Sequence, residues 1–131
     1  MIIGIGSDLA NIARVEESIE KFGDRFLNRV FTPRELVAME KRRKVSPRRY
    51  ACSAAKRFAA KEACSKALGT GFRRGVFWRD IEIIHQNSGK PDMFLYNGAL
   101  SRMQELGGTT MHVSMTDDYP WAQAFVVIEK C

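Results

Sequence analysis

Apolar and polar positions follow two different rhythms along this chain, mainly helical from Ile12 to Leu68 and mainly strand-like after Gly75. Met1 to Ser7 is apolar and interrupted by Gly4 and Gly6, which predicts a short strand ending at Asp8. Ile12, Val15, Ile19 and Phe22 recur at helical spacing, so a first amphipathic helix is expected from about Ile12 to Phe22, with Gly23 as its stop. Phe26, Val30 and Phe31 read as an apolar connector studded with Arg25 and Arg29. Thr32-Pro33-Arg34-Glu35 carries a capping box: Thr32 caps, Pro33 takes the first helical position, and Glu35 reaches back. The helix it opens dissolves in Lys41-Arg42-Arg43-Lys44. Ser46-Pro47 starts a third, alanine-rich helix that meets no breaker until Gly69.

After the loop from Gly69 to Gly75 the period drops to two. Asp80 to Ile84 is expected to be a strand, Gly89-Lys90-Pro91 a turn, and Met93 to Tyr96 the returning strand. Ala99 to Leu106 predicts a short helix closed by Gly107-Gly108. Met111 to Thr116 and Trp121 to Glu129 form a last hairpin about a turn at Asp117 to Pro120. The expected class is α+β: a small, mostly antiparallel sheet packed with a long central helix, in one domain spanning residues 1–131.

No apolar run approaches the roughly 20 residues needed to cross a bilayer. The stretch MIIGIGSDLA lacks the basic leader and small-residue site of a signal peptide, so a cytoplasmic protein is the expectation. Three cysteines cannot all pair within the chain, and none shows metal-ligand spacing, which suits a reducing compartment. Charge adds more by its distribution than by its total. Residues 1–74 hold 17 Lys/Arg against 8 Asp/Glu, whereas residues 75–131 hold 4 against 7. A basic first half suits an anionic partner: nucleic acid, a polyphosphate ligand or an acidic protein.

On the third helix, Glu62 projects about 20° from Ala55 and about 40° from Phe58, so a carboxylate lies on the face that should pack inward. A buried carboxylate is costly unless paired or bound to metal. One reading is an i,i+4 ion pair with Lys66. Asp8, at the end of an apolar strand, poses the same choice, since it could simply cap the next helix. Taken together, Asp8 and Glu62, flanked by Arg57, Lys61 and Lys66, are what a Mg²⁺–polyphosphate complex needs: hard oxygen ligands, with cations for the remaining phosphate charge. Gly69-Thr70-Gly71 would let backbone approach a phosphate, or serve only as a helix C-cap. Neither GxxxxGK[ST] nor GxGxxG occurs. His112 and Ser114 share a strand face but form no triad, so an enzyme here would activate a nucleophile brought by its substrate.

Gly4-Ile5-Gly6-Ser7-Asp8 with Arg14, Phe31-Thr32 with Glu35, Arg57 to Gly71 (RFAAKEACSKALGTG), Asp80-Ile81-Glu82, Gly89-Lys90-Pro91 and His112-Val113-Ser114 follow one another along nearly the whole chain. In this order they resemble the holo-acyl-carrier-protein synthase family. The resemblance implies the 4'-phosphopantetheinyl transferase fold, a homotrimer with active sites between subunits, coenzyme A as donor, an apo-acyl-carrier protein as acceptor and Mg²⁺ as cofactor. It implies Asp8 and Glu62 as metal ligands, with Lys66 beside them in catalysis. It places Arg57, Lys61, Ser65, Lys66, Gly69, Pro91 and His112 at or near positions that contact the donor's nucleotide and phosphates. Arg14, Arg25, Phe26 and Arg29 match the surface that receives the carrier's acidic helix, in agreement with the basic first half.

Two segments depart from the pattern. Met115-Thr116-Asp117 stands where many members have a hydrophobic residue, Ser and His, and the basic run from Glu40 to Arg49 is longer than usual. The competing reading is a small basic nucleic-acid-binding module, consistent with a pI near 9.5.

Overall fold

The structure is a computed structural model describing residues Met1–Cys131. Its organising element is the alanine-rich helix α4 (Pro47–Ala67), in which 14 of 21 residues are buried. Before it come β1 (Ile2–Asn11), α1 (Ile12–Phe22), α2 (Asp24–Val30) and α3 (Pro33–Arg43). After it come a short 3₁₀ turn (Trp78–Asp80), β2 (Ile81–His85), β3 (Pro91–Leu95), α5 (Asn97–Glu105), β4 (Thr110–Asp118) and β5 (Trp121–Glu129).

One face of α4 lies on a three-stranded antiparallel sheet of order β1-β5-β4. Ala59, Ala63, Cys64 and Ala67 meet Ala124, Val126 and Ile128 there. Small side chains allow helix and sheet to approach closely. The N-terminal half of α4 packs instead under α1, α2 and α3, through Ala51, Ala54 and Ala55 against Ile12, Val15, Val30, Phe31 and Met39. The helix is thus buried from two sides, which explains why no amphipathic stripe shows in its sequence.

Local signals did much of the work. Thr32 and Glu35 form the capping box, and Ser46 caps α4 by accepting from the Arg49 amide. Gly23, at φ +54°, ends α1 in a conformation that suits glycine. Three expectations need correction. β1 runs on to Asn11, because every residue from Gly4 to Asn11 stays paired with β5. Asp24 to Val30 is a helix rather than a connector, with Leu27 and Val30 turned inward. The strands form two sheets, not one: β2 and β3 pair only with each other.

Candidate active site

Asp8 lies on β1, and Glu62 on the part of α4 laid across that strand. Gly4 and Gly6 allow the approach: a Cβ at either would collide with the carbonyl oxygens of Ala67 and Ala63. The glycine-interrupted start of the chain is thus a seat for α4, and it sets the distance between two carboxylates carried by different elements. Glu62 takes up its proton above the usual glutamate range, chiefly because it is partly buried and next because Asp8 stands beside it; Lys66 pulls the other way.

Lys66 does not pair with Glu62 along the helix. Its ammonium reaches across to β1 and donates to Asp8 Oδ1 at 3.0 Å and to the Ser7 carbonyl at 3.2 Å. Asp8 is no helix cap either, since Asn11 caps α1 by accepting from the Arg14 amide at 3.1 Å. Both carboxylates therefore face a cleft of ≈ 370 Å³ whose wall also includes Arg14, Phe26, Phe58 and Trp121. Arg25 and Arg29 are exposed on α2, the short helix that carries Phe26.

Of the expected nucleotide contacts, Ser65 and Gly69 lie at this end of α4. The Ser65 hydroxyl donates to the Glu62 carbonyl at 2.7 Å, and Gly69, at φ +76°, turns the chain out of the helix. The amides of Thr70 and Gly71 both donate to the Ser65 carbonyl, so this turn closes the helix with its own donors.

Lys61 stands elsewhere, and here the sequence expectation is corrected. About 100° round the helix from Glu62, it is fully buried. Its ammonium donates to Glu35 Oε1 at 2.6 Å and to the carbonyls of Ile81 and Trp78 at 2.6 and 3.1 Å. Burial pushes its pKa down against the pull of Glu35. All three protons are placed, which makes Lys61 a pin joining α4, α3 and β2 rather than a flank of the carboxylates. Glu35 is the other half of that pin. Beyond its capping role it accepts from the Ile83 amide at 2.9 Å, a use invisible in sequence because its partners lie 26 and 48 positions away. Glu82, also buried, accepts from Thr32, Arg34 and Tyr96 and ties the same elements together.

Arg57 is held on the far side of α4 from Glu62 by the Ile83 carbonyl and Ser53 hydroxyl, with its remaining Nη2 at 3.4 Å from His85 Nδ1. It forms part of a second cleft, ≈ 710 Å³, with Arg34, Lys41, Arg42, Arg49 and Lys56. Part of the unusually basic run thereby acquires a location. Pro91 pairs with His85 across the β2–β3 ladder at the edge of this cleft. His112 is on the outer face of β4, 2.5 Å from Glu129 Oε1. The structure brings Asp8, Glu62, Lys66, Arg14 and Phe26 together, and it separates them from Arg57, Lys61, Pro91 and His112.

No group of three His, Cys, Asp or Glu side chains gathers in the chain. A two-carboxylate set suits a hard cation that completes its shell with water and phosphate oxygens, such as Mg²⁺, rather than a closed zinc site.

Comparison with known proteins points to one family. The model of the 4'-phosphopantetheinyl transferase superfamily matches residues 4–124. A holo-[acyl-carrier-protein] synthase of Phenylobacterium zucineum is 55% identical, the match covering 98% of this chain and 93% of that one. The crystal structure of the corresponding synthase from Neisseria meningitidis superimposes with a TM-score of 0.84 at 44% identity, covering 99% and 100% of the two chains. That of Helicobacter pylori, in complex with coenzyme A, gives 0.81 at 31% identity over 95% and 99%. A cleft with paired carboxylates, a basic first half and these matches lead to one conclusion: the chain belongs to the 4'-phosphopantetheinyl transferase superfamily, among its holo-[acyl-carrier-protein] synthases.

Proposed function

We propose that the protein transfers 4'-phosphopantetheine from coenzyme A to a serine of an apo-acyl-carrier protein, releasing 3',5'-ADP, with Mg²⁺ held by Asp8 and Glu62. The observation that carries this reading is the shared cleft: the two carboxylates line one cavity with Arg14 and Phe26. Substrate serine and donor phosphate would meet there.

Bound Mg²⁺ supplies charge neutralisation for the donor's pyrophosphate during in-line attack. The chain's own residues do the rest. Glu62, beside Asp8 in the cleft, is the chain's candidate to take the proton from the serine hydroxyl as its oxygen bonds to phosphorus. The phosphorus–oxygen bond to the nucleotide breaks in the same step, and Lys66, more than half exposed beside Asp8, neutralises the departing 3',5'-ADP. Arg14, Arg25 and Arg29 draw in an acidic carrier helix, and Phe26 gives it an apolar seat.

Two observations support a self-assembled active site. Arg57 and Glu62 lie on opposite sides of α4, so one coenzyme A could use both only between two copies of the chain. In addition, the outer face of the β1-β5-β4 sheet exposes Ile5, Leu9, Trp121 and Phe125 at 67, 56, 46 and 47%. Such an apolar face invites burial against another copy, and a homotrimer with its sites between subunits satisfies both observations. The reading is tested by incubating the protein with coenzyme A, Mg²⁺ and an apo carrier, then weighing the carrier. A mass gain of one phosphopantetheine is expected, and an unmodified carrier would refute the assignment.

A further inference from the structure

Asp117, next to last in β4, is the only acidic residue in the lining of the basic cleft, which holds six Lys and Arg side chains. Its Oδ1 lies 3.1 Å from Lys56 Nζ, with both side chains about a third exposed. The buried Cys52 thiol is a second neighbour, lining the same cleft: it is held above the usual range first by burial and next by the charge of Asp117. The carboxylate is therefore held against the cleft by α4 on one side, while the β4–β5 ladder pairs Asp117 with Ala122 behind it. A partly exposed ion pair contributes little to stability. Its placement among cations that would receive phosphate is a different matter, because it occupies one of them and repels the ligand.

We propose that Asp117 is an affinity-determining residue of this cleft: it competes with nucleotide phosphate for Lys56 and so speeds release of the bisphosphorylated nucleotide product. The inference rests on the reading that one coenzyme A lies between two copies of the chain, its nucleotide phosphate in this cleft of one copy and its pyrophosphate at the carboxylates of the other. On binding, Lys56 exchanges the carboxylate for a phosphate oxygen; when the product leaves, the pair re-forms. Asp117 acts through Lys56 and touches no reacting atom. It is a positioning residue, and it should govern nucleotide affinity more than the chemical step.

The test uses the full-length protein in four forms: wild type, Asp117→Asn, Lys56→Met and the double variant, with Arg49→Ala as a check on the underlying reading. Thermal unfolding verifies that each is folded. Inhibition by 3',5'-ADP and the KM for coenzyme A are then measured against kcat. Asp117→Asn should tighten 3',5'-ADP inhibition and lower the coenzyme A KM by about three- to tenfold, with kcat unchanged or reduced by slower release. Lys56→Met should weaken both, and Asp117→Asn should lose most of its effect in that background. If Arg49→Ala and Lys56→Met both leave the coenzyme A KM unchanged, the nucleotide does not use this cleft and the proposal falls with the reading. If those two raise it while Asp117→Asn shifts inhibition less than twofold, or shifts it equally with and without Lys56, the cleft assignment stands and the competition by Asp117 is overturned.

Discussion

Replacing Lys61 with Met would keep the length of a side chain at the centre of the molecule while removing its charge. Three contacts go with it: the 2.6 Å bond to Glu35 Oε1 and the two bonds to the Ile81 and Trp78 carbonyls. Removing one member of a buried ion pair typically destabilises by about 3–5 kcal/mol, out of a total of about 5–15 kcal/mol for a domain. Glu35 keeps the amides of Thr32 and Ile83 as donors and has Arg57 at 4.0 Å. These residual partners place the expected loss at the lower end, about 3 kcal/mol. With a urea slope of about 1–3 kcal/mol/M, the unfolding midpoint should fall by roughly 1–3 M while the slope stays constant. The same variant, assayed below its midpoint, should bind coenzyme A with a KM within about twofold of wild type, because no Lys61 proton is free for a phosphate. Stability reduced by less than about 1 kcal/mol, together with a KM raised about tenfold, would refute this reasoning and return Lys61 to the phosphates.

Reversing Arg14 to Glu should raise the carrier KM on the order of tenfold and the coenzyme A KM far less, and added salt should weaken wild-type docking in the same direction; an effect confined to coenzyme A would remove Arg14 from the docking surface. Glu62 binds its proton more tightly folded than at the ordinary value of 4.5, so the folded chain holds the extra proton, and stability without metal should fall as pH rises from there through the raised value. Glu62→Gln should abolish that decline, and parallel melting-temperature profiles for the two proteins between about pH 4 and pH 8 would contradict it. Transfer should be direct. Ser114→Ala, or replacement of all three cysteines, should leave turnover, and rapid-quench mass spectrometry without carrier should show unmodified enzyme; a kinetically competent phosphopantetheine adduct on the enzyme would overturn direct transfer.

The sequence was most legible where a structural decision is local. The Thr32–Glu35 capping box, Gly23 as the end of α1 and Ser46-Pro47 as the start of α4 are set by residues within a turn of one another, and the structure reproduces each. It was least legible where partners arrive from afar. Lys61 shares one short motif with Glu62, yet its carboxylate partner lies 26 positions away, so spacing alone could not show that the ammonium is buried. Lys66 illustrates the same limit: the i,i+4 rule offered Glu62, and tertiary packing supplied Asp8 from 58 positions away. The split into two sheets escaped notice because period-two alternation shows that a segment is a strand, not which strand it joins. The Asp8–Glu62 pairing was read from the chemistry of two carboxylates set among cations and then from resemblance, although Gly4 and Gly6 carried a physical hint in their close approach to α4. Membership of an enzyme family sets aside the nucleic-acid-module alternative.

The central claim is that Asp8 and Glu62 jointly hold the metal on which transfer depends. The measurement that addresses it most directly is carrier modification, followed by mass spectrometry across a Mg²⁺ titration, for wild type, Asp8→Asn and Glu62→Gln, each shown to unfold cooperatively. Wild-type modification should rise with Mg²⁺ to a plateau, while both variants remain inactive throughout. Near-normal transfer by either variant at saturating Mg²⁺ would contradict the account.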